Sequence, residues 1–152
     1  EASERERAGV SPWESLQTGL FIARKGQMKP PLAGGKIVGG YGWKTDNVTN
    51  LKSFSPGVEI HGKPNYNVRA IADGVIVYVG SLRGYGNFVI VAHDDGFYST
   101  YGGLGRVKVQ LDQRIPEREP VGVTDDGIVK FELRRGQEAV DPIEWLDFSQ
   151  LQ

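Results

Sequence analysis

Short runs of β-branched and aromatic residues, separated by glycine, set the pattern of this chain. They cover Lys36–Val38, Val68–Ala72, Gly74–Val79, Asn87–His93, Phe97–Tyr101, Val107–Val109, Val121–Thr124 and Ile128–Arg134. Many short strands with turn signals between them predict a mainly β fold, a barrel or a sandwich. In Val75–Val79 and Phe88–His93 the apolar run is nearly continuous, which predicts strands covered on both faces. Asp73-Gly74, Asp95-Gly96 and Asp126-Gly127 are each tight-turn signals, because glycine accepts positive φ without a Cβ clash.

Two stretches have helical rather than strand spacing. Ser11-Pro12-Trp13-Glu14 is a capping box with proline at the first helical position, and it predicts a short N-terminal helix. Trp13, Leu16 and Leu20, with Phe21, then share one face. Gly19 costs such a helix about 1 kcal/mol relative to alanine, so it needs a surface to dock on. Near the other end, Asp141-Pro142 predicts a capped short helix running through Trp145 and Leu146. The stretch from Arg24 to Gly35, "RKGQMKPPLAGG", reads as a Pro/Gly-rich linker. The expected organisation is therefore a helical segment and linker over residues 1–29 and a β domain over 30–148.

Length and charge narrow the class. At 152 residues the chain can bury a core without staples, and its net charge of −1 argues against a nucleic-acid binder. No apolar run approaches the roughly 18 residues of a membrane span. The opening "EASERER" lacks the apolar core of a signal peptide, so any export signal is expected to have been removed. With no cysteine, neither a disulfide nor a thiolate ligand is available.

Candidate chemistry is sparse. "GGKIVGGYG" lacks P-loop spacing, and "RGYGNF" lacks the third glycine of a dinucleotide fingerprint. Ser55, Ser81, Ser99 and Thr100 sit in no nucleophile-elbow pattern. Of the two histidines, His93 ends an apolar run before a turn and reads as a hydrogen-bonded structural residue. His61 follows Glu59 by two positions, which puts both side chains on one face of an extended strand. A zinc site needs three converging ligands, so with two histidines it would have to recruit distant carboxylates.

From Pro30 to Leu146 the order of "PPLAGGKIVGGYG", "SPGVEI", "VRAIADGVIVYVGSLRGYGNFVIVAHDDGFYSTYGGL", "PVG" and "IVKFELRRGQEAVDPIEWL" resembles the LytM/lysostaphin-type zinc peptidases, which cut peptide cross-links in bacterial cell walls. The resemblance implies an antiparallel β-sheet with barrel-sandwich hybrid character and a long groove. Active members hold zinc with a His-x-Gly-x-Asp motif and the second His of His-x-His-Phe-Glu. Here those positions read Ser55 and Glu59, and then Ile128-Val129-Lys130-Phe131-Glu132, with Lys130 where the ligand histidine would stand. The catalytic His of the family's Tyr-x-His-Leu motif corresponds to Gly103 in Tyr101-Gly102-Gly103-Leu104. Glu59 alone keeps a ligand chemistry, and Lys130 is expected to pair with it as an ion pair. No metal or other cofactor is expected.

These losses resemble the non-catalytic branch of the family, the murein hydrolase activators of the EnvC and NlpD type, the EnvC side in particular. That branch implies a periplasmic or otherwise exported location in the bacterial envelope. It also implies a peptidoglycan amidase as partner and a role in cell division or daughter-cell separation. Members commonly carry an upstream coiled coil linking them to the division machinery, so the chain is expected to be a C-terminal piece. The matching groove positions are Pro56, Glu59, Tyr85, Phe88, Lys130 and Arg134. Tyr85 and Phe88 would be apolar anchors and the charged three would set register. Rival readings are a peptidoglycan-binding module that does not hydrolyse, an unconventional metallopeptidase, and a phosphocarrier domain using His61 and His93.

Overall fold

The computed structural model describes residues 18–149. Twelve strands follow one another: β1 (Lys36–Gly39), β2 (Gly42–Thr45), β3 (Lys52–Ser55), β4 (Gly57–His61), β5 (Asn67–Arg69), β6 (Gly74–Leu82), β7 (Gly86–Ala92), β8 (Phe97–Val107), β9 (Arg114–Ile115), β10 (Pro120–Thr124), β11 (Ile128–Arg135) and β12 (Glu138–Val140). Ten of them form one sheet whose spine runs β1-β4-β11-β8-β7-β6-β9, all antiparallel. The strand β10 pairs with both β5 and β8, β12 pairs with β11, and β2–β3 form a separate hairpin. The mainly β, antiparallel architecture that the glycine-punctuated pattern predicts is the one observed.

Alternation along the strands divides the sheet into two faces. Val58 and Ile60, then Val129, Phe131 and Leu133, then Phe97, Ser99 and Tyr101, then Val89 and Val91 all point inward and are buried. The intervening residues point outward. Register aligns them in a row across five strands: Tyr78 opposite Ile90, Ile90 opposite Thr100, Thr100 opposite Glu132, and Glu132 opposite Gly57. The run at 88–93 is buried on both faces as expected, with Phe88, Val89, Val91, Ala92 and His93 all buried, whereas the run at 75–79 is not covered twice along its whole length. Tyr78 is 45% exposed, so the outer face of β6 is open there.

The stretch that reads as a linker is part of the core. Met28 and Leu32 are fully buried, and Met28 forms a parallel bridge with Leu146. Phe21 is buried too, stacked on Phe97 at 4.5 Å and tilted against Trp145 at 5.5 Å. Proline and glycine here shape a strap over the inner face rather than a tether. Of the expected helix, Ser11–Gln17 lie outside the described residues. Leu20 is 65% exposed and Gly19 has φ of +76°, so among the described residues it is Phe21, not Leu20, that docks. Only a single 3₁₀ turn, Ile22–Arg24, follows.

The strap is held by Asp95, a buried carboxylate that accepts from the backbone N–H of Gly19 (2.7 Å), Phe21 (3.0 Å) and Ile22 (3.2 Å). Burial pushes its pKa up, but the N–H groups of Gly19, Ile22 and Phe21 together with Thr18 outweigh burial and hold it below the ordinary carboxylate value. Asp141 caps the 3₁₀ turn Pro142–Glu144 by accepting from the Ile143 N–H at 3.1 Å, as its Asp-Pro signature predicts.

His93 is structural. It is 3% exposed, with Nδ1 2.7 Å from the Asp73 carbonyl and Nε2 2.7 Å from Ser99 Oγ. Ser99 Oγ lies 2.7 Å from the Tyr101 hydroxyl, which receives the Ile71 N–H at 3.0 Å. A neutral ring donating from Nδ1 must accept at Nε2, so Ser99 donates to His93 and accepts from Tyr101. Every member is then satisfied. Burial drives the His93 pKa down to about 4, against the opposing pull of the Asp73 carbonyl.

Candidate functional site: a groove with lost zinc ligands

The outward residues of β4, β11, β8 and β7 floor a groove divided at Tyr85. On one side lies a small polar pocket of about 160 Å³, reached by Ser55, Pro56, Glu59, Tyr85, Lys130 and Glu132. On the other lies a larger apolar cleft of about 700 Å³, where Tyr78, Leu82, Phe88 and Ile90 face Glu132 and Arg134. Glu132 and Tyr85 belong to both. The six groove positions picked from the sequence divide between these pockets: Pro56, Glu59 and Lys130 on the polar side, Phe88 and Arg134 on the apolar side, and Tyr85 between them.

The partition is built from charge and ring. The Tyr85 hydroxyl donates to Glu132 Oε2, while Arg134 donates to Oε1 from Nη2 at 2.8 Å and Nε at 3.1 Å. Glu132 is 7% exposed, and two partners satisfy a carboxylate that would otherwise be costly to bury. Burial, then the Glu132 hydrogen bond and charge, push the Tyr85 pKa up to about 12, so it remains a donor at neutral pH. Lys130 Nζ donates to the Gly84 carbonyl and lies 5.6 Å over the Tyr85 ring. It thereby pins the turn that carries Tyr85. Gly57 is needed beneath, since a Cβ there would lie 2.6 Å from Glu132 Cγ and 2.3 Å from the Phe131 carbonyl.

The expected Glu59–Lys130 ion pair is absent among the described residues. The two residues face each other in register, but Glu59 Oε1 sits 3.2 Å from His61 Nε2 and Lys130 turns to Gly84. The i,i+2 spacing in the strand accounts for the first contact, as the sequence predicts. The free carbonyl of the Gly84 turn draws the ammonium away for the second.

The positions corresponding to zinc ligands in the resembled peptidases do not fit a metal. Ser55 Oγ donates to the Gly57 carbonyl at 3.0 Å, Lys130 is a cation, Glu59 is engaged with His61, and Glu132 is taken up by Tyr85 and Arg134. Among the described residues no three His, Cys, Asp or Glu side chains converge. Gly103 adds a steric exclusion that its identity alone does not reveal. It has φ of +82°, and a Cβ on it would lie 2.3 Å from the Ile128 carbonyl. Sequence reasoning also missed Glu132, the hub of the partition. The alternation of Ile128–Arg134 carries the signal, because Lys130, Glu132 and Arg134 must share a face.

Residues 53–142 match the model of peptidase family M23. A lipoprotein NlpD/LppB homologue of Pseudomonas aeruginosa is 34% identical over 76% of this chain and 43% of its own length. The murein hydrolase activator NlpD of Salmonella typhimurium is 30% identical over 68% of this chain and 30% of its own. The murein hydrolase activator EnvC of Escherichia coli is 29% identical over 86% and 31%. The chain therefore spans less than half the length of these relatives. Among solved structures, a zinc-containing peptidase from Vibrio cholerae superposes with a TM-score of 0.69 at 16% identity, over 77% of this chain and 40% of that one. Lysostaphin does so with 0.66 at 18% identity, over 78% and 53%. These two share the fold.

Proposed function

Since the chain belongs to peptidase family M23, we propose that it is a non-catalytic member that binds and stimulates a peptidoglycan amidase through the Tyr85-divided groove. In this reading it acts in the bacterial cell envelope, at cell division or daughter-cell separation. The observation that carries the proposal is the chemistry at the former metal position. Amide cleavage in this family relies on zinc to activate water and polarise the carbonyl. Ser55 and Lys130 replace ligands, and Gly103 leaves no room for a catalytic side chain. What remains is a recognition surface: an apolar cleft with aromatic walls, rimmed by the Glu132–Arg134 pair. Aromatic anchors beside a charged rim are the usual composition of an interface centre. The names of the relatives, murein hydrolase activators, agree with such a role.

The test is activation by a Lys130→Glu variant. That change removes the bond to Gly84 and puts a third carboxylate beside Glu59 and Glu132. Lys130 is only half-buried, so the fold should survive while amidase stimulation falls at least tenfold in potency. A folded variant that stimulates as well as wild type would remove the groove from the mechanism.

A further inference from the structure

Six residues further along β8 than Thr100, away from the groove, the sheet opens into a cleft of about 580 Å³ lined by Asn65, Tyr66, Asn67, Arg69, Arg106 and Lys108. The strands place these side chains together by register: Asn67 lies opposite Val123, and Val123 opposite Arg106. Arg69 follows Asn67 by two residues on β5, so the two share a face, and Lys108, just past the end of β8, reaches Asn67. No carboxylate lines the cleft. In a chain with 18 basic and 19 acidic residues, three cations in one concavity without an acid is a marked segregation.

Donor capacity there is largely unspent. The Arg106 guanidinium has no hydrogen-bond or ion-pair partner among the described residues. Lys108 Nζ uses one donor on Asn67 Oδ1 at 3.0 Å, and Arg69 uses Nη1 on the Arg118 carbonyl at 3.0 Å. Lys63 lies 5.5 Å over the Tyr66 ring and adds a fourth cation at the rim. An anionic ligand would relieve the mutual repulsion of these groups and meet forked donors suited to carboxylate.

From this we infer that the cleft is a second binding site, separate from the groove, for a peptide carrying closely spaced carboxylates. Asn65 and Asn67 decide for a peptide. Their amides can both donate to and accept from peptide bonds, whereas a phosphate group offers acceptors alone. A membrane surface fits poorly, because a face that lies in the bilayer interface sets large apolar residues beside its cations. Tyr66 is the one large exposed apolar group in this concavity. Choosing the stem peptide of the cell wall as the occupant rests on the activator reading, and that peptide carries several carboxylates within a few residues.

The full chain is titrated with purified cell-wall tetrapeptide, the same peptide with its carboxylates amidated, inorganic phosphate, and phosphatidylglycerol vesicles. Only the free tetrapeptide should bind, more weakly at higher salt, and at least tenfold more weakly to an Arg106→Gln/Lys108→Gln variant. Both residues are exposed and outside the core, so this variant should fold and stimulate the amidase as wild type does. Undiminished peptide binding by the variant, or equal binding of amidated peptide, phosphate or vesicles, overturns the inference. If the wild-type chain binds tetrapeptide but stimulates no amidase, the groove reading fails and the cleft stands.

Discussion

Gly103 holds a backbone that no L side chain adopts without strain: φ is +82°, and the Ile128 carbonyl occupies the space of its Cβ at 2.3 Å. Restoring a histidine there would not restore a catalytic site but would push β8 from β11. Gly103→Ala should destabilise the domain by at least about 2 kcal/mol, read by urea unfolding, since it combines positive φ with a backbone clash. His93 governs a different property. It is held neutral, with its pKa lowered by burial to about 4, while the unfolded chain has an ordinary histidine near 6.5. Below the unfolded value the unfolded state binds the extra proton, so stability should fall as pH drops from about 6.5 to about 4. A His93→Gln variant should lack that slope. A wild-type stability curve that is flat across this interval would contradict the buried, neutral assignment.

At the scale of elements, the N-terminal strap is bound to the face opposite the groove. Phe21 stacks on Phe97, whose side chain points inward, while the neighbouring Tyr98 and Thr100 line the apolar cleft outside. Phe21 and Met28 therefore anchor the strap in the core, and a truncation that asks whether the preceding segment acts on the groove must stop at residue 17. Phe21→Ala should cost about 3 kcal/mol in unfolding free energy, as expected for a buried aromatic in contact with two others. A loss under about 1 kcal/mol would mean the strap is not part of the cooperative unit.

These elements were unequally legible in the sequence. The long strands were readable because glycine turns bracket their apolar runs. The hairpin β2–β3 was not, because Trp43 and Phe54 pair on an exposed face among polar residues and no apolar alternation marks them. The strap reads as a linker because its proline and glycine outweigh two isolated apolar residues, Met28 and Leu32, whose burial depends on contacts over a hundred residues away in the first case. The open outer face of β6 escapes the pattern for the opposite reason. Apolar residues on both sides of a strand signal burial, and here Tyr78 on the second side of β6 faces the cleft instead.

For the molecule as a whole, family resemblance located the groove positions, but the way they are joined follows from side-chain geometry. Lys130 pins Tyr85, Tyr85 and Arg134 satisfy Glu132, and the carboxylate expected to meet Lys130 pairs with His61. At the positions that correspond to zinc ligands in the resembled peptidases, this chain carries the Lys130 ammonium over the Tyr85 ring. What the groove presents is a shaped surface, a small polar pocket beside a larger apolar cleft.

The most direct measurement is release of soluble fragments from dye-labelled peptidoglycan. It compares this chain alone with added zinc, a cognate amidase alone, and the two together. The chain alone should release no more than buffer, and its addition should raise the amidase rate at least tenfold. Zinc-dependent release by the chain alone, or an amidase rate unchanged by its presence, would contradict the account.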